Sequence, residues 1–163
     1  MVSIDDALRT KVHRLVTDYV GGQTVPADLS AEPAAIRSGT AVIYLRLIAS
    51  DPPLVRVFSP LLRKLECSPE LLTELNELNG RINFIRLFWR DRSVIAAGEL
   101  LASTLDPIEL SNACDWLADT SDYYDVRLQN RFGGELAFAP PPASDHPADT
   151  PRLRADAEGP ARG

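Results

Sequence analysis

The stretch TAVIYLRLIASDPPLVRVF, residues 40–58, decides the fold. In each of its two halves, the side chains at alternate positions form a set that contains only apolar residues. Side chains alternate across a strand, so each half has two distinct faces. The purely apolar side chains are Ile43, Leu45, Leu47, Val55 and Val57. The Ser-Asp-Pro-Pro sequence at 50–53 is a strong turn signal. The stretch therefore predicts two strands, Thr40–Ala49 and Leu54–Phe58, joined by a turn.

The other parity of these strands carries an arginine between two large apolar residues, and a later segment repeats the pattern. The three segments are Tyr44-x-Arg46-x-Ile48, Leu54-x-Arg56-x-Phe58 and Phe84-x-Arg86-x-Phe88. The purely apolar face must pack on helices, whereas the arginine-bearing face is too apolar for water and too charged for a closed core. We expect these nine residues to contact a partner, which is a second subunit, an extended peptide, or both.

The composition is that of one ordinary globular domain. The 163 residues are 45% hydrophobic and 25% charged, which is typical of a chain with its own core. A net charge of −6 argues against binding to nucleic acid or to an anionic membrane. The sequence shows no export signal and no apolar run long enough to span a membrane. We expect a cytoplasmic protein.

Helix start and stop signals predict three helices. The first begins at a Ser3 cap and ends at Gly21-Gly22, and residues 23–39 are interpreted as an irregular connection. The second runs from a Ser68 cap to Gly80, and the third from Asp106 to Gly133-Gly134. The predicted buried stripe of the second helix consists of Leu71, Leu72, Leu75 and Leu78.

The remaining strands complete an antiparallel sheet. Pro60 is expected to interrupt the ladder, leaving Leu61–Leu65 as a short edge strand. Strand Ile82–Arg90 turns at Asp91-Arg92 into Ser93–Ala102. Glu99 falls on the arginine side of this last strand, which predicts a cross-strand Arg–Glu pair.

The predicted order α-β-β-β-α-β-β-α is typical of an α+β fold with an antiparallel sheet and helices on one face. We expect this domain to span residues 1–138. Residues 139–163 contain 6 of the 13 prolines and too few apolar residues for a core, so we expect a disordered tail.

Five segments within residues 40–134 resemble the YbjN-like family, which includes the TY-Chap proteins and shares its fold with class I type III secretion chaperones. The segments are Val55-Arg-Val-Phe-Ser-Pro-Leu-Leu-Arg63, Ser68-Pro-Glu-Leu-Leu-x-x-Leu-Asn-x-Leu-Asn79, Ile82-x-Phe-x-Arg-Leu-Phe-Trp89, Leu105-Asp-Pro and Leu128-Gln-x-Arg-Phe-Gly-Gly134. Their order and spacing carry the resemblance. It implies a secretion-chaperone-like fold.

The resemblance also implies a function. Secretion chaperones of this type are small, acidic, cytosolic homodimers that hold an effector segment in extended form. Some YbjN-like proteins have instead been described as regulators of sensory transduction. The alternative function is therefore an adaptor that binds a folded signalling protein.

No pattern in the sequence indicates catalysis. The two histidines, His13 and His146, are far apart, and no His-x-x-x-His, Cys-x-x-Cys or Gly-x-Ser-x-Gly sequence occurs. We therefore expect no enzyme activity and no cofactor. Trp116 and Tyr123 of the third helix are predicted to form an exposed aromatic patch, a second candidate contact with a partner.

Overall fold

A computed structural model of the chain describes residues 2–39 and 41–138. Its elements, in chain order, are α1 (Asp6–Val20), β1 (Ala34–Ser38), β2 (Ala41–Ile48), β3 (Leu54–Arg63), α2 (Pro69–Asn79), β4 (Arg86–Arg90), β5 (Ser93–Leu101), α3 (Pro107–Phe132) and β6 (Glu135–Leu136). The predicted α+β class and order are confirmed, and the two-residue β6 follows them. The predicted disordered tail, 139–163, lies outside the described residues.

All strand pairs are antiparallel, and the strands lie in the order β1-β2-β3-β5-β4. Strand β6 pairs with the end of β3, where Leu62 lies opposite Leu136. Strand β3 lies between β2 and β5. Its side chains point alternately to the two faces of the sheet, so they show which residues of the neighbouring strands share each face.

One face of the sheet packs on all three helices, as predicted. The buried side chains of β2 and β3, including Ile43, Leu45 and Val57, belong to one core cluster with those of the helices. Helix α3 contributes Leu110, Cys114 and Leu117 to that cluster. Each large aliphatic side chain buried in this way contributes about 1.5–3 kcal/mol to folding.

The helix caps are mostly those that the sequence predicts. Ser68 accepts a hydrogen bond from the Leu71 backbone N–H at 3.1 Å, and Asp106 forms a capping box with Glu109. The prediction for α1 is wrong by two residues, because Asp5 and not Ser3 is its cap and accepts from the Ala7 N–H at 3.2 Å. A carboxylate at this position also interacts favourably with the helix dipole.

The strand boundaries differ from the prediction in two places. The predicted irregular connection contains β1, whose residues alternate between buried and exposed as they pair with β2. The predicted edge strand after Pro60 belongs instead to a continuous β3, which is an interior strand. A register shift between Pro60 and Leu62 absorbs the proline, which has no N–H to donate.

Two further predictions about buried residues and strand bounds are wrong. Leu72 is 48% exposed, because the buried stripe of α2 is the narrower set Leu71, Leu75 and Leu78. Strand β4 begins at Arg86 and not at Ile82. The turn after it is as predicted: Asp91 and Arg92 have φ of 49° and 60°, which are the values of a type I′ hairpin.

Candidate functional site

The face of the sheet that bears the arginines lies opposite the helices, and we call it the open face. It consists of alternate residues of each strand, and the cross-strand pairs show that their side chains lie on the same face of the sheet. They are Ala35, Arg37, Val42, Tyr44, Arg46, Ile48, Leu54, Arg56, Phe58, Pro60, Ser93, Ile95, Ala97, Glu99, Leu101, Arg86, Phe88 and Arg90. Most of the aromatic and large apolar members are only half-buried. No helix of the described residues covers them.

Eight of the nine predicted contact residues lie on the open face. Tyr44, Phe58, Ala97 and Arg86 form one row across four strands, and Arg46, Arg56 and Glu99 form the next. The rings of Tyr44 and Phe58 stack with centroids 5.3 Å apart and an angle of 21° between their planes. Such pairing gives this row a continuous apolar surface beside the charged row.

The predicted cross-strand pair between an arginine and a glutamate is confirmed. Arg56 Nε donates to Glu99 Oε1 at 2.9 Å, and Arg86 Nη2 donates to the same oxygen at 2.6 Å. Arg86 Nη1 also bonds Glu99 Oε2, so the contact with Arg86 is bidentate. The Glu99 side chain is only 19% exposed. The hydrogen bonds from Arg86 are the main cause that lowers the pKa of Glu99, and Arg56 adds to their effect.

Arg46 is held by a loop and not by a carboxylate of the described chain. Its Nη2 donates to the Ser30 carbonyl oxygen at 3.2 Å. Asp28 fixes that loop, because its Oδ1 accepts from the Ser30 N–H at 2.9 Å and from the Ser30 hydroxyl at 2.6 Å. The Ser30 hydroxyl is the main cause that lowers the pKa of Asp28. The loop therefore orients Arg46, and no carboxylate of the described residues pairs with its charge.

The ninth predicted residue, Phe84, does not lie on the open face. It precedes β4 with a φ of 63°, a left-handed conformation that is uncommon for a bulky residue. Its side chain is 76% exposed and contacts Trp116, which is 43% exposed, with ring centroids 5.0 Å apart. Trp116 thus pairs with Phe84 and not with Tyr123, whose ring meets Tyr124 edge-on. An exposed aromatic patch is present at Trp116, but its second residue is Phe84 and not the predicted Tyr123.

Two arginines of the open face were not predicted as contact residues. Arg37 of β1 lies opposite Val42 of β2, and residues 34–38 carry no strong strand signal in the sequence. Arg90 has the same parity as Arg86 and Phe88 on β4, so the alternation that identified those two residues could have found it. Arg90 lies within 3.5 Å of Asp91 in the adjacent turn, where both side chains are strongly exposed.

The described residues offer no site for metal chemistry. No group of three or more histidine, cysteine or acidic side chains among them could hold a metal ion. None of the helices in the described ranges is long and apolar enough to cross a membrane. Cys114 is buried on α3, and burial raises the pKa of its thiol to about 12, so the thiolate is not accessible near neutral pH. The open face can bind by apolar contact and by guanidinium hydrogen bonds.

Comparison with known proteins identifies a family and also solved structures that are similar to this chain. The family model TY-Chap1, described as "T3SS (YopN, CesT) and YbjN peptide-binding chaperone 1", matches residues 6–140. No curated protein matches the chain. A chain in the crystal structure of the ExsC–ExsE complex is similar, with a TM-score of 0.60 and 16% sequence identity, over 73% of this chain and 94% of that chain. At this identity the likeness shows a shared fold.

Proposed function

Because the chain belongs to the TY-Chap1 family of peptide-binding chaperones, we propose that it holds an extended segment of a partner protein against its open face. We call the partner protein the client. The proposal makes the protein a non-enzymatic chaperone that acts in the cytoplasm. It assigns the contact with the client to Tyr44, Arg46, Ile48, Leu54, Arg56, Phe58, Arg86 and Phe88.

The observation that carries the proposal is a large, partly apolar sheet face that no helix of the described residues covers. Soluble proteins rarely leave a contiguous apolar surface of this kind to water unless a partner covers it. The rings of Tyr44, Phe58 and Phe88 supply apolar area, and the guanidinium of Arg86 lies 5.6 Å from the centre of the Phe88 ring. Aromatic and arginine side chains are the residues that dominate binding energy at protein interfaces.

The mechanism is passive. An extended segment exposes apolar side chains that would otherwise aggregate, and the open face shields them by contact. The guanidinium groups donate hydrogen bonds to backbone carbonyl or carboxylate oxygens of the segment, which fixes its position. Ordering the segment costs conformational entropy, so affinity depends on a few well-buried anchors, of which Phe58 and Phe88 are the best placed.

The proposal is tested with three versions of the full chain immobilised as bait. They are the wild type, Arg46→Glu/Arg56→Glu on the open face, and the control Arg14→Glu/Arg81→Glu, which makes the same charge change at two exposed arginines away from it. We expect the wild type and the control to retain the same client from host cytosol. Reversal of two central charges should lower that retention by about ten-fold or more.

Hydrogen exchange on the captured complex then locates the contact. Protection of the β2 and β3 side of the sheet, and of one short client segment that also binds as an isolated peptide, is the result expected for a chaperone. A client that binds only when folded would favour the adaptor function. Retention of the same proteins by all three baits, or of none by any of them, would contradict the proposal.

We also propose that the protein is a homodimer. Within the described residues, we consider two surfaces for subunit contact: the open face itself and the exposed pair Phe84–Trp116. An aromatic pair outside the open face leaves that face free for the client. We therefore propose that the subunits meet at Phe84 and Trp116, and the mass of a Trp116→Glu variant tests this assignment.

A further inference from the structure

The charge of the open face is opposite in sign to that of the whole chain. The strands place five arginines on it, Arg37, Arg46, Arg56, Arg86 and Arg90, against one carboxylate, Glu99. The chain as a whole has a net charge of −6. Positive charge is thus concentrated on one surface of an acidic protein, which favours an acidic occupant of that surface.

The arginines at the centre of the face retain unused hydrogen-bond capacity. Within the described residues, Arg46 makes one hydrogen bond, to a backbone carbonyl, and Arg56 makes its only one through Nε to Glu99. The two residues lie directly opposite each other on β2 and β3. Like charges in that position are mildly destabilising. A carboxylate between them would accept hydrogen bonds from both guanidinium groups and remove the repulsion.

A neutral apolar segment could not cover this row without cost. Covering two guanidinium groups removes their water, and a buried charge that lacks a partner is strongly disfavoured. The occupant must therefore provide an anion at the position of Arg46 and Arg56. Among the described strand residues of this face the one carboxylate, Glu99, already engages Arg86 and the Nε of Arg56, so we assign the anion to the partner.

Apolar residues lie on both sides of the charged row, which consists of Arg46, Arg56 and Glu99. On each of the three strands, the residues two positions before and two positions after the charged residue are apolar. One flanking row consists of Tyr44, Phe58 and Ala97, and the other of Ile48, Leu54 and Leu101. Side chains on one face of a strand recur every two residues, a spacing of about 6.4–6.8 Å, and an extended peptide presents its own side chains at the same spacing.

From this match we infer that the segment held by the open face follows the pattern apolar–x–acidic–x–apolar, with its carboxylate between Arg46 and Arg56. The inference rests on the proposed function and specifies what the face recognises. The two apolar side chains contact the flanking rows, one beside Tyr44 and Phe58 and the other beside Ile48 and Leu54. The x positions point away from the sheet and can be any polar residue.

Three fluorescein-labelled peptides test the pattern directly. GSVTETLSG carries it, GSVTQTLSG replaces the carboxylate by the isosteric amide, and GSVETTLSG moves the same carboxylate by one residue to the opposite face of the extended chain. Binding to the full-length protein is measured by fluorescence anisotropy. We expect the first peptide to bind about ten-fold more tightly than either of the others.

Two variants show whether this preference comes from the charged row. In Arg46→Glu/Arg56→Glu the preference for GSVTETLSG should disappear, and in the control Arg14→Glu/Arg81→Glu it should remain. Equal affinity for the three peptides, or no measurable binding of any of them, overturns the inference. The proposed function is decided separately: a client retained through the open face by a segment without this pattern overturns the inference alone.

Discussion

At the scale of single residues, Glu99 determines how the open face is built. It is the only carboxylate among the strand residues of that face, and it joins β5 to both neighbours through Arg56 and Arg86. Without it, Arg56 would lie between Arg46 and the guanidinium of Arg86 with no counterion. Glu99 therefore keeps part of the positive charge neutralised while the Arg46 side of the row stays available.

The Glu99→Gln variant should be less stable than the wild type at neutral pH, by about 0.5–1.5 kcal/mol in the free energy of unfolding. Because the folded-state pKa of Glu99 is lowered, its contribution is present above the ordinary glutamate pKa. That contribution is lost as the pH falls through the lowered value. The difference in the free energy of unfolding between the variant and the wild type should therefore become smaller at acid pH. Urea unfolding of both proteins between pH 7 and pH 3 measures this difference.

The Glu66→Gln variant is the control for this prediction. Glu66 pairs with Arg92 where the two side chains are 76% and 61% exposed, so solvent weakens the interaction. We expect little change in its free energy of unfolding at any pH. A Glu99→Gln variant as stable as the wild type at pH 7 would show that the two arginines do not stabilise the folded state through this carboxylate.

At the scale of secondary structure, the sequence predicts the strands whose apolar residues alternate. It does not predict a strand that forms because it pairs with a neighbour. The alternation in residues 40–58 predicts β2 and β3 and the two faces of the sheet, because burial on one side requires it. Strand β1 has only one strong strand former, Ile36, and exists because it pairs with β2. The alternation also extends to Phe84, although a left-handed backbone ends the strand before Arg86. The spacing of apolar residues contains no information about the positive φ of Phe84, which ends the strand.

Strand β4 lies at the edge of the sheet, and α2 protects it through one side chain. The Asn79 amide donates to the Leu87 carbonyl oxygen at 2.8 Å and accepts from the Leu87 N–H at 2.7 Å. It thus occupies both backbone groups that this residue presents on the free edge of the strand. Edge strands with unpaired backbone groups are templates for pairing with other chains.

The Asn79→Ala variant should lose about 1–2 kcal/mol in the free energy of unfolding, because two hydrogen bonds disappear together. It should also form larger species at high concentration as the freed edge pairs with other molecules. Urea unfolding and analytical ultracentrifugation measure the two effects. Asn76→Ala, an exposed position on the same helix, is the control for lost side-chain volume. Equal stability of the two variants would show that the Asn79 amide contributes nothing to the edge.

At the scale of the whole molecule, the described part of the chain presents two surfaces that we assign to partners, and they differ in chemistry. The open face is broad, half-buried and positively charged. The pair Phe84–Trp116 is small, aromatic and strongly exposed, and a left-handed backbone holds Phe84 in that position. Such a conformation costs about 1–3 kcal/mol and persists only where the surrounding structure requires it. The sequence predicted the first surface from its alternation. It identified both residues of the second surface, Phe84 and Trp116, but not their pairing, because the contact brings together parts of the chain far apart in sequence.

The Trp116→Glu variant should be a monomer if the two subunits meet at this aromatic pair. Aromatic side chains of this kind bury 150–250 Å² each, and a stable interface needs about 800 Å² per partner, so the pair is the centre of a larger contact. A buried glutamate at that centre would have no partner and would prevent association. Light scattering should give twice the chain mass of 17.9 kDa for the wild type and the chain mass itself for the variant.

Two further variants separate this surface from the open face. Leu72→Glu changes an equally exposed apolar residue on α2 and should remain a dimer. Arg46→Glu/Arg56→Glu should also remain a dimer, because its charges lie on the surface assigned to the client. If that variant is the monomer while Trp116→Glu is a dimer, the subunits meet through Tyr44, Phe58 and Phe88. The open face would then be a subunit interface, and the client would have to bind elsewhere.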